Sequence, residues 1–268
     1  MISEPVEQNV LVVVKTYPTP SAKYTETVCT AGITDKGEWI RLYPVKFRFL
    51  QDHQQYGLFS WITVKTVKSK TDTRPESFKV VNDEIRVGKK VDTKKGLNER
   101  KMMLLPLVKN SMEEIEDQFE KEHKSLAIFK PRVITNFYID PESPDWSELE
   151  KSKLGQMSLF DTPDTIPTEL KKVPYSFRCE YYCHNPECKG HKQKITIWDF
   201  NWAYFKYCEQ YGDEQVALEK LKEKWFSYFA SDKDGYLIVG TTHPYHSFII
   251  IGVLSLKKGD NCYMQPLV

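Results

Sequence analysis

The segment FRCEYYCHNPECKGHK constrains this chain more than any other: Cys179, Cys183, Cys188 and His191 follow one another at spacings x3, x4 and x2, with His184 as a further donor. Thiolate and imidazole are the ligands zinc prefers, and four of them on short loops can close a tetrahedral shell. Gly190 lets the backbone turn beneath an ion. The competing reading is a group of half-buried free thiols, because cysteine is readily buried. Six cysteines in 268 residues are too few for a disulfide scaffold, and their clustering favours metal. The expectation is zinc held by Cys179, Cys183, Cys188 and His191. The Cys179 to Cys183 spacing is unusual, although a strand would place both on one face with Tyr181 between them. If Cys179 is not a ligand, then His184, or the distant Cys208 or His243, completes the shell. Three protein ligands and a water would open a route to hydrolysis. No HExxH or other paired base accompanies the cluster, so a closed structural site is expected.

The hydrophobic pattern predicts an α+β protein. VLVVVK (Val10 to Lys15), ETVCTAGI (Glu26 to Ile33), EWIRLYPV (Glu38 to Val45) and SWITVKTVK (Ser60 to Lys68) read as strands, with Asp35-Lys36-Gly37 as a tight turn. Several short strands in succession predict a small antiparallel β-barrel. Leu97 to Lys109 and Ser111 to Lys124 read as helices, the second opening on a Ser111/Glu114 capping box. KSLAIFKP and RVITNFYI return to strand character. Five prolines between 140 and 174 mark a linker. Helices from about 197 to 211 and 212 to 230, then strands at 236–242 and 247–256, complete the chain. The predicted division is a barrel with helical connector at 1–139, a linker at 140–174 and a zinc-containing α+β lobe at 175–268.

Net charge is +1, yet residues 65–101 hold 12 basic against 6 acidic side chains and residues 113–169 hold 6 against 14. The basic stretch fits either a phosphate backbone or a solvated hairpin surface. Around the ends of the first strands lie Lys15, Tyr17, Lys23, Tyr24, Arg41, Tyr43 and Arg48. Rings interleaved with cations suit a single strand or a flipped base, the rings stacking on bases and the cations meeting phosphate. The plainer alternative makes Trp39, Tyr43 and Phe47 the inward face of the barrel.

TVCTAGITDKGEWIRLYPV resembles the opening of an uncharacterised family of bacterial and phage proteins with an OB-like or PUA-like N-terminal barrel. DTRPESFK and the Cys-x4-Cys-x2-His piece of YYCHNPECKGH, similar to a zinc knuckle, extend that resemblance over most of the chain. The family has no assigned activity, so the likeness implies architecture and not chemistry. Cys179 and His184 are additional to its pattern, which leaves the fourth ligand open.

GQMSLFD resembles the pentapeptide that binds bacterial sliding clamps, with Gln156 at a pocket rim and Met157, Leu159 and Phe160 in apolar pockets. Leu159 and Phe160 would otherwise pin the linker to the protein's own surface. His243 and His246 in GTTHPYHSF fit a turn, and Asp199 a helix start. The expected function is binding of single-stranded or locally opened nucleic acid. One rival is a metal-dependent hydrolase of nucleic acid or nucleotide, with Asp199, His243 or His246 as base. Another is a phage or defence-related protein that sequesters a nucleotide between lobes. Neither a membrane span nor a signal peptide fits, which places the expected protein in the cytoplasm.

Overall fold

The five-residue apolar run at Val10 to Val14 lies at the centre of strand β1 (Val6–Lys15), which is buried on both faces from Val10 onward. A strand with one wet face would alternate; this one does not, because a second layer covers its outer side. The computed structural model describes residues 4–91, 98–155, 167–242 and 246–258. After β1 come β2 (Thr19–Ser21), β3 (Thr25–Thr34), β4 (Trp39–Val45), β5 (Ser60–Lys68) and β6 (Ser77–Lys90). The sheet order is β1-β5-β6-β4-β3, and β1 also pairs with β3, closing a five-stranded barrel with β2 attached outside. All pairs in the ring are antiparallel except β4 with β6. Val10, Val12, Val28, Ile40, Leu42, Ile62, Val64 and Ile85 fill its interior. Gly32 is required where β3 crosses β1: a Cβ there would stand 2.3 Å from the Leu11 carbonyl oxygen.

The second unit starts at residue 108. It contains, after α1 (Asn98–Leu104), the elements β7 (Val108–Lys109), α2 (Met112–Glu122), β8 (Leu126–Phe129), β9 (Val133–Pro141), α3 (Glu148–Leu154), β10 (Tyr175–Tyr182), β11 (His191–Lys194), α4 (Trp198–Tyr211), α5 (Glu214–Ser227), β12 (Lys233–Thr241) and β13 (Phe248–Lys257). Strand β8 pairs with β12, and β9 pairs with β10. Strands β7, β8 and β9, in the stretch that the hydrophobic pattern attached to the barrel, therefore pair within sheets of the C-terminal lobe. The proline-spaced stretch also contains structure, since α3 is capped reciprocally by Ser147 and Glu150. Phe137, Phe177, Phe200, Tyr181 and Trp225 form the core of this lobe.

The two units share a third core. Leu11, Val13, Ala31 and Ile33 on the outer wall of the barrel pack against Leu126, Ile128, Ile238, Ile251 and Leu254. Polar clamps flank it. Arg41 Nη2 donates to Ser125 Oγ at 2.9 Å, and Glu76 Oε1 accepts from the Ser125 N–H at 2.7 Å. Arg74 donates to Thr241 O at 2.8 Å while its other donors grip Asp72. No described helix is long and apolar enough to cross a membrane.

Candidate metal centre and aromatic cleft

Strand β10 ends at Tyr182, and the chain turns through residues 183–190 before returning as β11, which pairs with β10 at Tyr181↔His191. The turn brings Cys183 and Cys188 together: the Cys183 N–H donates to Cys188 Sγ at 3.2 Å, and the Cys188 N–H to Asn185 O at 3.1 Å. Gly190 holds φ +90°, and a Cβ there would meet the Tyr182 ring at 3.0 Å. His191 stacks on Tyr181 with ring centroids 5.3 Å apart, and the Tyr181 hydroxyl donates to Gln193 Oε1 at 2.8 Å.

The fourth donor comes from the other side of the lobe. Glu113, in the first turn of α2, places Oε1 3.1 Å from His191 Nε2. Ligand atoms of Glu113, Cys183, Cys188 and His191 all lie within 4.8 Å of one another. A tetrahedral zinc shell has donor separations of about 3.8 Å, so closing on an ion takes a contraction of roughly 1 Å. Glu113 Oε2 is buried with no hydrogen-bond partner, as a carboxylate aimed at a cation site would be. The Met112 N–H donates to Cys183 Sγ at 3.3 Å, so the start of α2 faces this thiol. Burial pushes the Cys183 thiol up to about 12 even so, with the neighbouring Glu113 and Cys188 charges adding to it. Burial alone would raise the Glu113 carboxyl. Hydrogen bonds with its own backbone N–H, Ser111, Cys188 and His191 instead bring it down to about 2.

Cys179 is elsewhere. It is fully buried in the lobe's core, and burial pushes its thiol up to about 12. On an extended strand four residues span about 13 Å, so one ion cannot bridge Cys179 and Cys183 even though they share a face. His184 is exposed, and Cys208 lies on α4 beside Tyr204 and Glu214. His243 and the stretch Gln156, Met157, Leu159 and Phe160 fall outside the described residues. His246 lies near Phe119, with ring centroids 5.5 Å apart.

The seven aromatic and basic positions of the barrel separate into three environments. Arg41 is interior, at 4% exposure, and its guanidinium donates to Ser125 and to Cys29 Sγ, so it is not open to a ligand. Lys23, Tyr24 and Tyr43 lie on and beside the β2–β3 hairpin, with Lys23 over the Tyr24 ring and Tyr43 Oη 3.4 Å from Thr27 Oγ1. Lys15, Tyr17 and Arg48 gather where β1 meets α4. There a cleft of about 730 Å³ is lined by Tyr17 and Arg48 from the barrel, by Trp198, Trp202 and Phe205 from α4, and by Trp146. The three α4 rings fall at i, i+4 and i+7, one stripe of the helix.

Main-chain contacts fix the opposite wall of the cleft. Tyr17 Oη donates to Lys171 O at 2.8 Å, Trp146 Nε1 to Leu170 O at 2.7 Å, and Arg48 Nη2 to Thr168 O. Arg48 also pairs with the buried Glu26 at 2.8 Å. Lys171 and Lys172 lie over the Phe205 and Trp146 rings. A second cleft of about 570 Å³, lined by Trp39, Phe78, Glu76 and Lys109 among others, runs between the barrel and α2. Neither of these clefts is lined by Glu113, Cys183, Cys188 or His191. Of the basic stretch, residues 65–90 span the β5–β6 hairpin, where Lys65 pairs with Glu84 and Arg86 with Glu7, and Arg100 and Lys101 lie on α1.

Fold and site together define an α+β protein in which a closed five-stranded barrel abuts a lobe carrying a Glu-Cys-Cys-His group able to hold a metal ion. Two family models meet at the same boundary. Residues 6–106 match one described as Domain of unknown function (DUF8758). Residues 108–266, more than half of the chain, match one described as Domain of unknown function (DUF8757), and the chain belongs to that family. No curated protein matches the chain.

Proposed function

We propose that the protein binds single-stranded or locally opened nucleic acid in the cleft between barrel and α4, and that Glu113, Cys183, Cys188 and His191 hold a structural zinc. The carrying observation is the cleft itself: five rings and several cations converge on a space of nucleotide size. The barrel supports the reading. Leaving out β2, its ring order is first, second, third, fifth, fourth, with third and fifth parallel, an order that supports an OB-like reading of the barrel. In such barrels the second and third strands offer a binding face; here much of the second strand's outer wall is covered by the other lobe, which moves the open aromatic surface to the end of β1.

The zinc reading rests on the donor set, two sulfurs with one imidazole and one carboxylate, and on the unpaired Glu113 Oε2. Bound there, zinc would tie the start of α2 to the turn after β10. The separation of the metal group from both clefts favours a structural ion over a hydrolytic one.

Trp202, 48% exposed, provides the test. Trp202→Ala should weaken binding of a labelled single-stranded oligonucleotide by roughly 5- to 100-fold, the range of one lost stacking contact. The melting temperature should stay within about 2 °C, since an exposed ring contributes little to folding. Anisotropy titrations at fixed salt read the first effect. Wild-type affinity in the variant, or no binding by the wild type, refutes the reading.

A further inference from the structure

The cleft of about 570 Å³ lies on the seam between the two family units and takes its walls from both. Trp39, Phe78 and Glu76 come from the barrel, while Leu107, Val108 and Leu126 come from the boundary and the lobe beyond it. A space of this size suits one small molecule. Its charges balance, with Lys36, Lys109 and Lys124 set against Glu38, Glu76 and Glu114. Two of the lysines are matched already, Lys109 by Glu114 at 3.3 Å and Lys124 by Glu122 at 2.5 Å.

Glu76 differs from the rest of this wall. It is 7% exposed, and among the described residues that line either cleft it alone has a buried side-chain oxygen, Oε2, with no hydrogen-bond partner. Its other oxygen is held: Oε1 accepts from the N–H and the hydroxyl of Ser125. The Glu76 carbonyl in turn accepts from the Arg41 N–H at 2.7 Å, so backbone and carboxylate are both pinned. One acceptor of a fixed, buried carboxylate is therefore unspent. Such a group is costly to keep unless a donor reaches it. A ligand that carries the donor into the cleft accounts for its retention.

We infer that this cleft binds a neutral, planar heterocycle with adjacent N–H donors, guanine in type: the donor edge meets Glu76 Oε2 and the ring lies against Trp39 and Phe78. An ionised carboxylate only accepts, so it selects an edge that donates. Guanine offers its ring N–H and its amino group side by side, whereas adenine sets an acceptor nitrogen next to its amino group. The balanced lining exerts no net pull on a phosphate, which makes the ligand a base or nucleoside. This site is separate from the cleft between barrel and α4 and does not depend on what that cleft binds.

The test titrates guanosine and adenosine into the full chain by calorimetry. Wild type should favour guanosine by about tenfold or more, the scale of a charged hydrogen bond. Glu76→Gln keeps an oxygen for Ser125 and puts an amide NH₂ where Oε2 stands; it should lose guanosine affinity by about tenfold or more. Gln118→Trp, on the α2 wall, fills the cleft with an indole and should abolish binding without lowering the melting temperature. Trp202→Ala, in the other cleft, should leave guanosine affinity unchanged. Absence of guanosine binding by wild type, equal affinity for the two nucleosides, or unaltered affinity in Glu76→Gln overturns the inference. Should Glu76→Gln fail to fold, Gln118→Trp decides alone, and guanosine binding that survives it overturns the site. Loss of guanosine binding in Trp202→Ala would place the ligand in the other cleft and equally overturn it.

Discussion

Chelation should lower the melting temperature by roughly 8–16 °C if the Glu-Cys-Cys-His group holds the proposed zinc. At a free zinc concentration 1,000 times the dissociation constant, binding to the folded state alone adds about 4.1 kcal/mol. For a chain of this size each kcal/mol moves the midpoint by about 2–4 °C. The effect is large because the ion would join two segments far apart in sequence, Glu113 at the start of α2 and the Cys183 to His191 turn. Cys183→Ser should reproduce the loss and abolish stoichiometric zinc, whereas Cys179→Ser should retain a full equivalent. Thermal melts with and without chelator, alongside elemental analysis of the purified protein, read both. A zinc-free protein whose melting is indifferent to added zinc refutes the assignment.

Arg41→Ala should cost about 3 kcal/mol, because charged hydrogen bonds contribute about 1.5–3 kcal/mol each and their loss leaves buried acceptors unmet. The sequence places Arg41 among candidate ligand contacts on an alternating strand. In the fold it lies at the junction of the lobes, where it shares Ser125 with Glu76. Binding and stability should therefore fall together in this variant, in contrast to Trp202→Ala. Denaturant unfolding gives the free energy; an unchanged midpoint with selective loss of oligonucleotide binding would return Arg41 to the surface role.

What the sequence could and could not disclose follows from the range of the forces involved. Strand alternation and helix period are local, so β5, α2, α4 and α5 were readable within a few residues. Tyr17 and Arg48 were recognisable as aromatic and basic residues near strand ends. Partnership across the chain was not. Glu113 is one of 14 acidic residues in its stretch, and nothing nearby distinguishes it; its role depends on α2 meeting a turn 70 residues later. Cys179 misled for the opposite reason, because closeness in sequence is not closeness in space on an extended strand. The Trp198, Trp202 and Phe205 stripe was present at helical spacing, but such a stripe reads equally as core until the facing wall is known. The boundary near residue 107 was hidden because β8 finds its partner only in β12 near the far end of the chain, and β9 only in β10 beyond the proline-spaced stretch.

Leu11, Val13, Ala31 and Ile33 give the wall between the lobes a bearing on how the two family units can be inherited or engineered. A fragment ending at residue 107 would carry this greasy panel into water, so it should self-associate or precipitate on expression, and sedimentation of the isolated fragment would reveal it. Neither half is a free-standing cassette: each completes the other's interior, and a gene fusion that swapped one would have to bring a matching panel with it.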